Sequence, residues 1–280
     1  MTIKHSSAST GLPRYDKPPV SEVVCGVQFK PLEKFLLAHY GELWQSFKPE
    51  YNRCEETAPL APTIERFGKL PPTDVQPPPE PFFPRIWFIH KDESGVVQVQ
   101  RDRFLHNWRK ADGEYPHYER VIKLFKERYE TFLTFLSDND IGTAEPLQYE
   151  MTYINHMPQS EGWETLNEFC KVFPDFPWLE DDPWKPGKKR FLPNPHGRNL
   201  RLNFTFPDES GRLHVIIRNG VRRTDNRPVL LLELTVRGIG TEKSVETMED
   251  WFNVAHDWIV RGFADLCGTE MQDNVWRRTR

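Results

Sequence analysis

Pro116–Leu136 reads PHYERVIKLFKERYETFLTFL, and this stretch sets the kind of fold the chain can adopt. Tyr118, Val121, Ile122, Phe125, Tyr129, Phe132, Leu133 and Leu136 recur at i, i+3, i+4 and i+7, while Lys, Glu and Arg fill the other face. Pro116 suits the first turn of a helix and Gly142 lies just past its end, so the spacing predicts one long amphipathic helix. Such a helix needs an apolar surface to cover, and the segments before it supply strand patterns.

On the N-terminal side, Ser21–Phe29 alternates, with Val23, Cys25, Val27 and Phe29 on one face, as in a half-buried strand. Pro31 fits the first turn of a helix carrying Leu32, Phe35, Leu36, His39, Leu43 and Phe47. Arg85–His90 and Val96–Phe104 read as two strands joined by Asp92-Glu93-Ser94-Gly95. On the C-terminal side the order recurs. Leu147–Met157 reads as a strand and Trp163–Phe173 as a short helix. Asn199–Phe206 puts Leu200, Leu202, Phe204 and Phe206 on one face, and Leu213–Arg218 pairs with it across Asp208-Glu209-Ser210-Gly211. Val229–Arg237 directs Leu230, Leu232, Leu234 and Val236 inward. A last helix begins near Ser244 as N-cap and carries Val245, Met248, Phe252, Ala255, Ile259 and Phe263.

The expected fold class is α+β: tandem pseudo-duplicated β-α-(β-hairpin strands)-α units, each a curved antiparallel sheet covered by its long C-terminal helix. The units span 16–143 and 144–280, after a disordered tail at 1–15. The alternative is an unduplicated α+β domain, and the pattern leaves open whether the two sheets join. Asp-Glu-Ser-Gly occurs in both halves but closes hairpins offset by one strand, so the order of elements carries the repeat.

The 280 residues carry 37 Lys+Arg against 41 Asp+Glu, a net charge of −4 that disfavours a uniformly basic nucleic-acid coat. No apolar run approaches the roughly 18–20 residues of a membrane span, and Met1–Leu12 lacks the apolar region of a secretory signal, so the cytosol is the expected compartment. Four dispersed cysteines fit reduced, mostly buried thiols better than a disulfide frame or zinc site. The 36 aromatic residues imply an aromatic core, and prolines crowd Pro59–Pro84 and Pro174–Pro195 into extended connections. No metal or cofactor is expected.

Lys17–Phe29 (KPPVSEVVCGVQF), Val97–Phe104 leading to Asn107-Trp108-Arg109 and Tyr115-Pro116, Tyr149–Asn155 (YEMTYIN), and Ala255-His256-Asp257 with Phe263 and Trp276-Arg277 form blocks spread from Asp16 to Arg278. The chain in these blocks resembles a sporadically distributed prokaryotic family of proteins without assigned function. The resemblance implies horizontally travelling genes, hence a setting beside mobile elements, toxin-linked operons or anti-phage defence. It implies no catalytic residues.

Walker A, G-x-G-x-x-G, G-x-S-x-G and H-E-x-x-H patterns are all missing from the sequence. Arg101 and His106 form R-x-x-x-x-H, a spacing known from helical ribonucleases, but here it falls at a predicted strand end. If Val96–Phe104 is one strand continuing onward, Val97, Val99, Arg101, Arg103 and Leu105 share a face, and Gln98, Gln100, Asp102, Phe104 and His106 the other. Polar groups on both sides of a strand line a cavity or a buried network. The candidate ligand- or partner-binding residues are therefore Gln98, Gln100, Arg101, Arg103, Asn107, Trp108 and Arg109, with Tyr149, Tyr153 and Asn155 in the second half. Lys185–Arg223 holds ten basic residues against two acidic ones. Lys188, Lys189, Arg190, Arg201, Arg218, Arg222 and Arg223 are the candidate nucleic-acid contacts, while Phe204 and Phe206 read as core. The leading expectation is a non-catalytic protein that recognises a protein partner, encoded in the same operon, or a ligand. The alternatives are nucleic-acid binding through this basic hairpin and an enzyme with a site around Gln98–Arg109.

Overall fold

The computed structural model describes residues 11–67, 83–111, 113–177, 192, 195–222, 225–239 and 247–280. The described residues form one antiparallel sheet of nine strands: β1 (Val20–Phe29), β2 (Arg53–Thr57), β3 (Arg85–Ile89), β4 (Gly95–Gln100), β5 (Arg103–Arg109), β6 (Pro146–Pro158), β7 (Asn199–Thr205), β8 (Gly211–Val221) and β9 (Pro228–Gly238). The helices are α1 (Leu37–Phe47), α2 (His117–Asp138), α3 (Phe169–Val172) and α4 (Met248–Leu266). The strand order is β2-β3-β4-β5-β1-β6-β9-β8-β7. The sheet is therefore continuous: β1 and β6 pair at its middle, Val23 opposite Tyr153 and Val27 opposite Tyr149.

One face of the sheet is apolar. Registers place Val23, Cys25, Val27 and Phe29 in line with Trp108, His106 and Phe104 of β5, Met151 and Tyr153 of β6, and Leu234 and Val236 of β9. Helix α2 lies against β5 and β1, and α4 against β9, β6 and β8. Burying Phe104 against Phe132 at 5.2 Å and Phe125 against Phe252 at 5.1 Å joins both helices into one core. Large aromatic side chains contribute most of this burial. Tyr118 stacks on His256 at 4.0 Å, and its hydroxyl donates to Asn253 Oδ1 at 2.8 Å.

Several sequence expectations shift. Helix α1 starts at Leu37, because Leu32 N–H is taken by the Arg101 carbonyl at 2.9 Å and Leu32 and Phe35 are buried as a turn ahead of it. The N-cap of α4 is Thr247, whose Oγ1 accepts from Asp250 N–H at 3.1 Å; Ser244 and Val245 lie outside the described residues. β2 has no counterpart among the sequence expectations, because RCEET has no alternating apolar residues. β1 is buried on both faces, not one. Of the four free cysteines, Cys25 and Cys267 are buried, whereas Cys54 is exposed.

The largest correction concerns Val96–Phe104. Gln100 pairs with Arg103, so Arg101-Asp102 is a two-residue hairpin loop and the run is two strands, β4 and β5. The loop carbonyls accept from Phe29 and Leu32 N–H, both at 2.9 Å. The loop thus depends on contacts with the end of β1, which no local pattern reports. Phe204, expected in the core, is 44% exposed on the edge strand β7, whereas Phe206 is buried and stacks on Trp258 at 4.0 Å. At the termini, Tyr15 bridges Arg278 and its hydroxyl donates to Gln272 Oε1 at 2.8 Å, so residues expected within the tail are tied down; 1–10 lie outside the described residues. Among the described residues no helix is long and apolar enough to cross a membrane.

Candidate binding face

The face opposite the helices is polar, since side chains alternate along each strand. Its rows follow from the registers. One row runs Gln98, Leu105, Gly26, Glu150, Arg237, Arg212 and Thr205; the next runs Asn107, Val24, Thr152, Thr235, His214 and Asn203; a third runs Arg109, Glu22, Ile154, Glu233, Ile216 and Arg201. Gly26 is required there, because an added Cβ would lie 2.1 Å from Leu105 Cδ2.

In the N-terminal half these side chains form one closed network. Gln98 Oε1 accepts from Arg85 Nη1 at 2.9 Å and Trp87 Nε1 at 3.0 Å, and Gln98 Nε2 donates to Asn107 Oδ1 at 2.6 Å. Asn107 Nδ2 donates to Glu22 Oε1 at 2.5 Å, which also accepts from Arg109 Nε at 3.2 Å. Arg109 lies over the Trp87 ring at 4.8 Å. Both hydrogen-bonding ends of the Gln98 and Asn107 amides are used, as buried polar groups require.

In the C-terminal half the face carries charge. Arg237 pairs with Glu150, and burial of the guanidinium is outweighed by that carboxylate, so its pKa is raised. Arg212 is nearly fully buried and pairs with Glu65 at 2.6 Å; His214 Nε2 contacts the other Glu65 oxygen at 2.5 Å and His214 Nδ1 contacts Asn203 Oδ1 at 2.7 Å. Burial pushes the Glu65 carboxyl up, but the His214 hydrogen bond and the charges of His214, Arg212 and Arg237 win, leaving its pKa lowered. Thr152 and Thr235 hydroxyls bond at 2.8 Å.

Glu65 belongs to the Pro-rich connection, whose described part Leu60–Phe67 crosses this face as a strap. Gln100 Oε1 accepts from Leu60 N–H at 2.9 Å and Gln100 Nε2 donates to Leu60 O at 3.0 Å. Arg103 Nη2 donates to Ala61 O at 3.1 Å. Gln148 Oε1 accepts from Glu65 N–H at 2.8 Å and its Nε2 donates to Thr63 O at 2.6 Å. From β4 to β8 the strap crosses five strand spacings of about 4.8 Å, about 24 Å, which is the reach of seven extended residues at about 3.4 Å each.

The sequence-predicted residues divide between the two faces. Gln98, Gln100, Arg103, Asn107 and Arg109 lie on the polar face. Trp108 faces the helices against Tyr115 at 5.3 Å. Tyr149 packs on Trp251 at 5.5 Å, the Tyr153 hydroxyl meets that of Tyr115 at 2.7 Å, and buried Asn155 donates to Leu232 O at 3.1 Å. These three share a side, as expected, but it is the apolar face. Arg101 sits in the β4–β5 loop, donating to Leu32 O at 3.2 Å and Glu33 O at 2.9 Å. His106 is under the helices with Tyr51, so Arg101 and His106 do not form one site. Of the basic set, Arg201 and Arg218 are exposed on the polar face, and Arg222 is held by Asp225 through Nε at 2.9 Å. Lys188, Lys189, Arg190 and Arg223 lie outside the described residues.

Sequence reasoning missed Glu22, Arg85, Trp87, Glu65, Gln148, Glu150, Arg212, His214 and Arg237. Gln148, Glu150 and Thr152 alternate within their strand, a signal that was available. Glu65 lies in a proline-rich connection and carried none. Comparison of the chain with protein-family models, curated proteins and solved structures gives no match. Fold and face together describe a mixed α+β protein whose single large sheet is apolar under its helices and polar on the other side.

Proposed function

We propose that the protein is a non-catalytic binding protein that recognises a partner polypeptide through the polar face of its sheet. The carrying observation is the row Ile154, Glu233 and Ile216, half-buried side chains of alternating apolarity and charge lying beside a hydrogen-bonded network that ties neighbouring strands together. A rigid surface mixing apolar and polar groups loses little conformational freedom when a partner docks. The polar side chains Gln98, Asn107 and Glu22 are spent on one another, which favours a scaffold over a reacting centre. The proposed partner is a protein encoded in the same operon and met inside the cell, and the family resemblance suggests a mobile-element, toxin-linked or defence setting for it.

The mirrored order outward from β1 and β6, with β5 and β9 next to them, supports reading residues 16–143 and 144–280 as two copies of one unit. A second functional reading is nucleic-acid contact, favoured by Arg201 and Arg218 being exposed on the same face of β7–β8. The experiment is affinity capture from the native host at moderate salt, with and without nuclease, comparing the wild type with Glu233→Lys/Ile216→Lys. A stoichiometric protein that survives nuclease and is lost from the variant supports the proposal. Nucleic acid recovered at moderate salt and lost at high salt, with no protein partner, replaces it by the second reading.

A further inference from the structure

The strap Leu60–Phe67 shows what kind of segment the polar face accepts. Its contacts are of two kinds. Gln100 and Gln148 each use both ends of one amide on main-chain N–H and C=O groups of the strap, a readout indifferent to side chains. Arg212 and His214 together hold one carboxylate, that of Glu65. Arg212 also reaches the Arg66 carbonyl and lies over the Phe67 ring at 5.4 Å. Apolar burial fastens the strap only at its ends, where Leu60 and Phe67 are half-buried, whereas Pro62, Thr63 and Ile64 are exposed, Ile64 by 41%. A segment held by a few polar contacts opens more readily than one anchored in the core. A competing peptide with the same backbone and one carboxylate would replace those contacts one for one.

We infer that this track across β4, β5, β6 and β8 is a binding site for an extended peptide bearing a carboxylate, and that Leu60–Phe67 occupies it as an internal copy of that ligand. The inference rests on the polar face being the partner surface and specifies the partner's chemistry. The main chain is clamped at Gln100 and Gln148, and an acidic side chain enters the Arg212–His214 pocket.

The test is titration of a labelled peptide, APLAPTIERF, the sequence of residues 58–67, into the full chain. The tethered strap acts at an effective concentration on the order of millimolar, so the peptide should bind Glu65→Ala at least ~10-fold more tightly than the wild type. Adding Arg212→Ala to that variant, or replacing the peptide's glutamate by alanine, should each weaken binding by at least ~10-fold, the fold-change of one lost charge-assisted contact. Should Glu65→Ala fail to fold, exchange of the Leu60 and Glu65 amides in the wild type replaces it: excess peptide must accelerate both. Equal binding of the glutamate and alanine peptides, absence of binding to a folded Glu65→Ala, or unchanged amide exchange overturns the inference. If host capture is lost from Glu233→Lys/Ile216→Lys while the peptide never binds, the proposed function stands and this inference alone falls.

Discussion

The half containing β1–β5 and the half containing β6–β9 treat their two faces unequally. Under the helices both are apolar, and Phe125 of α2 meets Phe252 of α4 so that one core serves both. On the polar face the first half uses amides, Gln98 and Asn107, closed off by Glu22 and by Arg85 and Arg109 from its own strands. The second half presents Arg212 and His214, whose counter-charge is Glu65, a residue of the first half carried over on the strap. A self-contained network leaves nothing for a partner to replace; a network completed from elsewhere can be opened and completed by something else. In the inferred site, the second half is where a competing carboxylate would take the place of Glu65.

Removing the shared core is the strongest way to break the comparison. Phe125→Ala should cost about 3–5 kcal/mol, and urea unfolding should stay a single transition; two separated transitions would show that the halves are independent. Asn107→Leu leaves the buried Gln98 Nε2 without its acceptor and removes one of the two donors to Glu22 Oε1, the other being Arg109, and should cost about 1–3 kcal/mol, read from the urea midpoint.

Acid should act on both halves through one buried histidine each. Burial lowers His106 to about 3 and His256 to about 4, with the charges of Arg128 and of Arg14, respectively, adding to it. The unfolded chain then binds protons that the folded one refuses, so stability is complete above about pH 6.5 and falls toward pH 3–4. The slope is at most about 1.4 kcal/mol per pH unit for each histidine. Replacing either histidine by glutamine should flatten the unfolding midpoint against pH, and an unchanged slope in both variants would remove this account.

Arg212→Met sharpens the contrast with Asn107→Leu. Breaking a buried ion pair costs about 3–5 kcal/mol when the remaining charge stays buried, but Glu65 sits on a strap whose neighbouring residues 62–64 are exposed, so its freed carboxylate is expected to reach water. The loss of global stability should be smaller than for Asn107→Leu, while exchange of the Glu65 amide speeds up. Glu65 also sets a pH limit: with its pKa lowered, its hold is complete above the ordinary glutamate range and is lost as the pH falls through the lowered value. Smallest of all, Lys126 and Glu249 link α2 to α4 at 2.5 Å in the open, 42% and 51% exposed, so Lys126→Ala should cost about 0–1 kcal/mol.

Much of the local structure was legible. The stripe Tyr118, Val121, Ile122, Phe125, Tyr129, Phe132 and Leu136 is buried in α2, and Leu230, Leu232, Leu234 and Val236 are fully buried in β9. What failed did so for tertiary reasons. The Arg101-Asp102 loop has no Gly or Asn to announce it and is held by N–H groups at the end of β1 and beyond it, so the faces assigned to Gln98–Arg109 came out mixed when they are in fact sorted. Phe204 alternates like a core residue but is 44% exposed on β7, the edge strand, which has a neighbouring strand on one side only among the described residues.

By itself the amino-acid sequence determined strands, helices and their apolar faces, because periods of 2 and 3.6 are properties of short stretches. Only the tertiary structure decided that β1 pairs with β6, that the polar residues gather on one face, and that Glu65 meets Arg212 and His214 across about 147 residues of chain. Those contacts join segments whose separation costs closure entropy and leaves no local trace. Their partners become visible only once the sheet has placed them side by side.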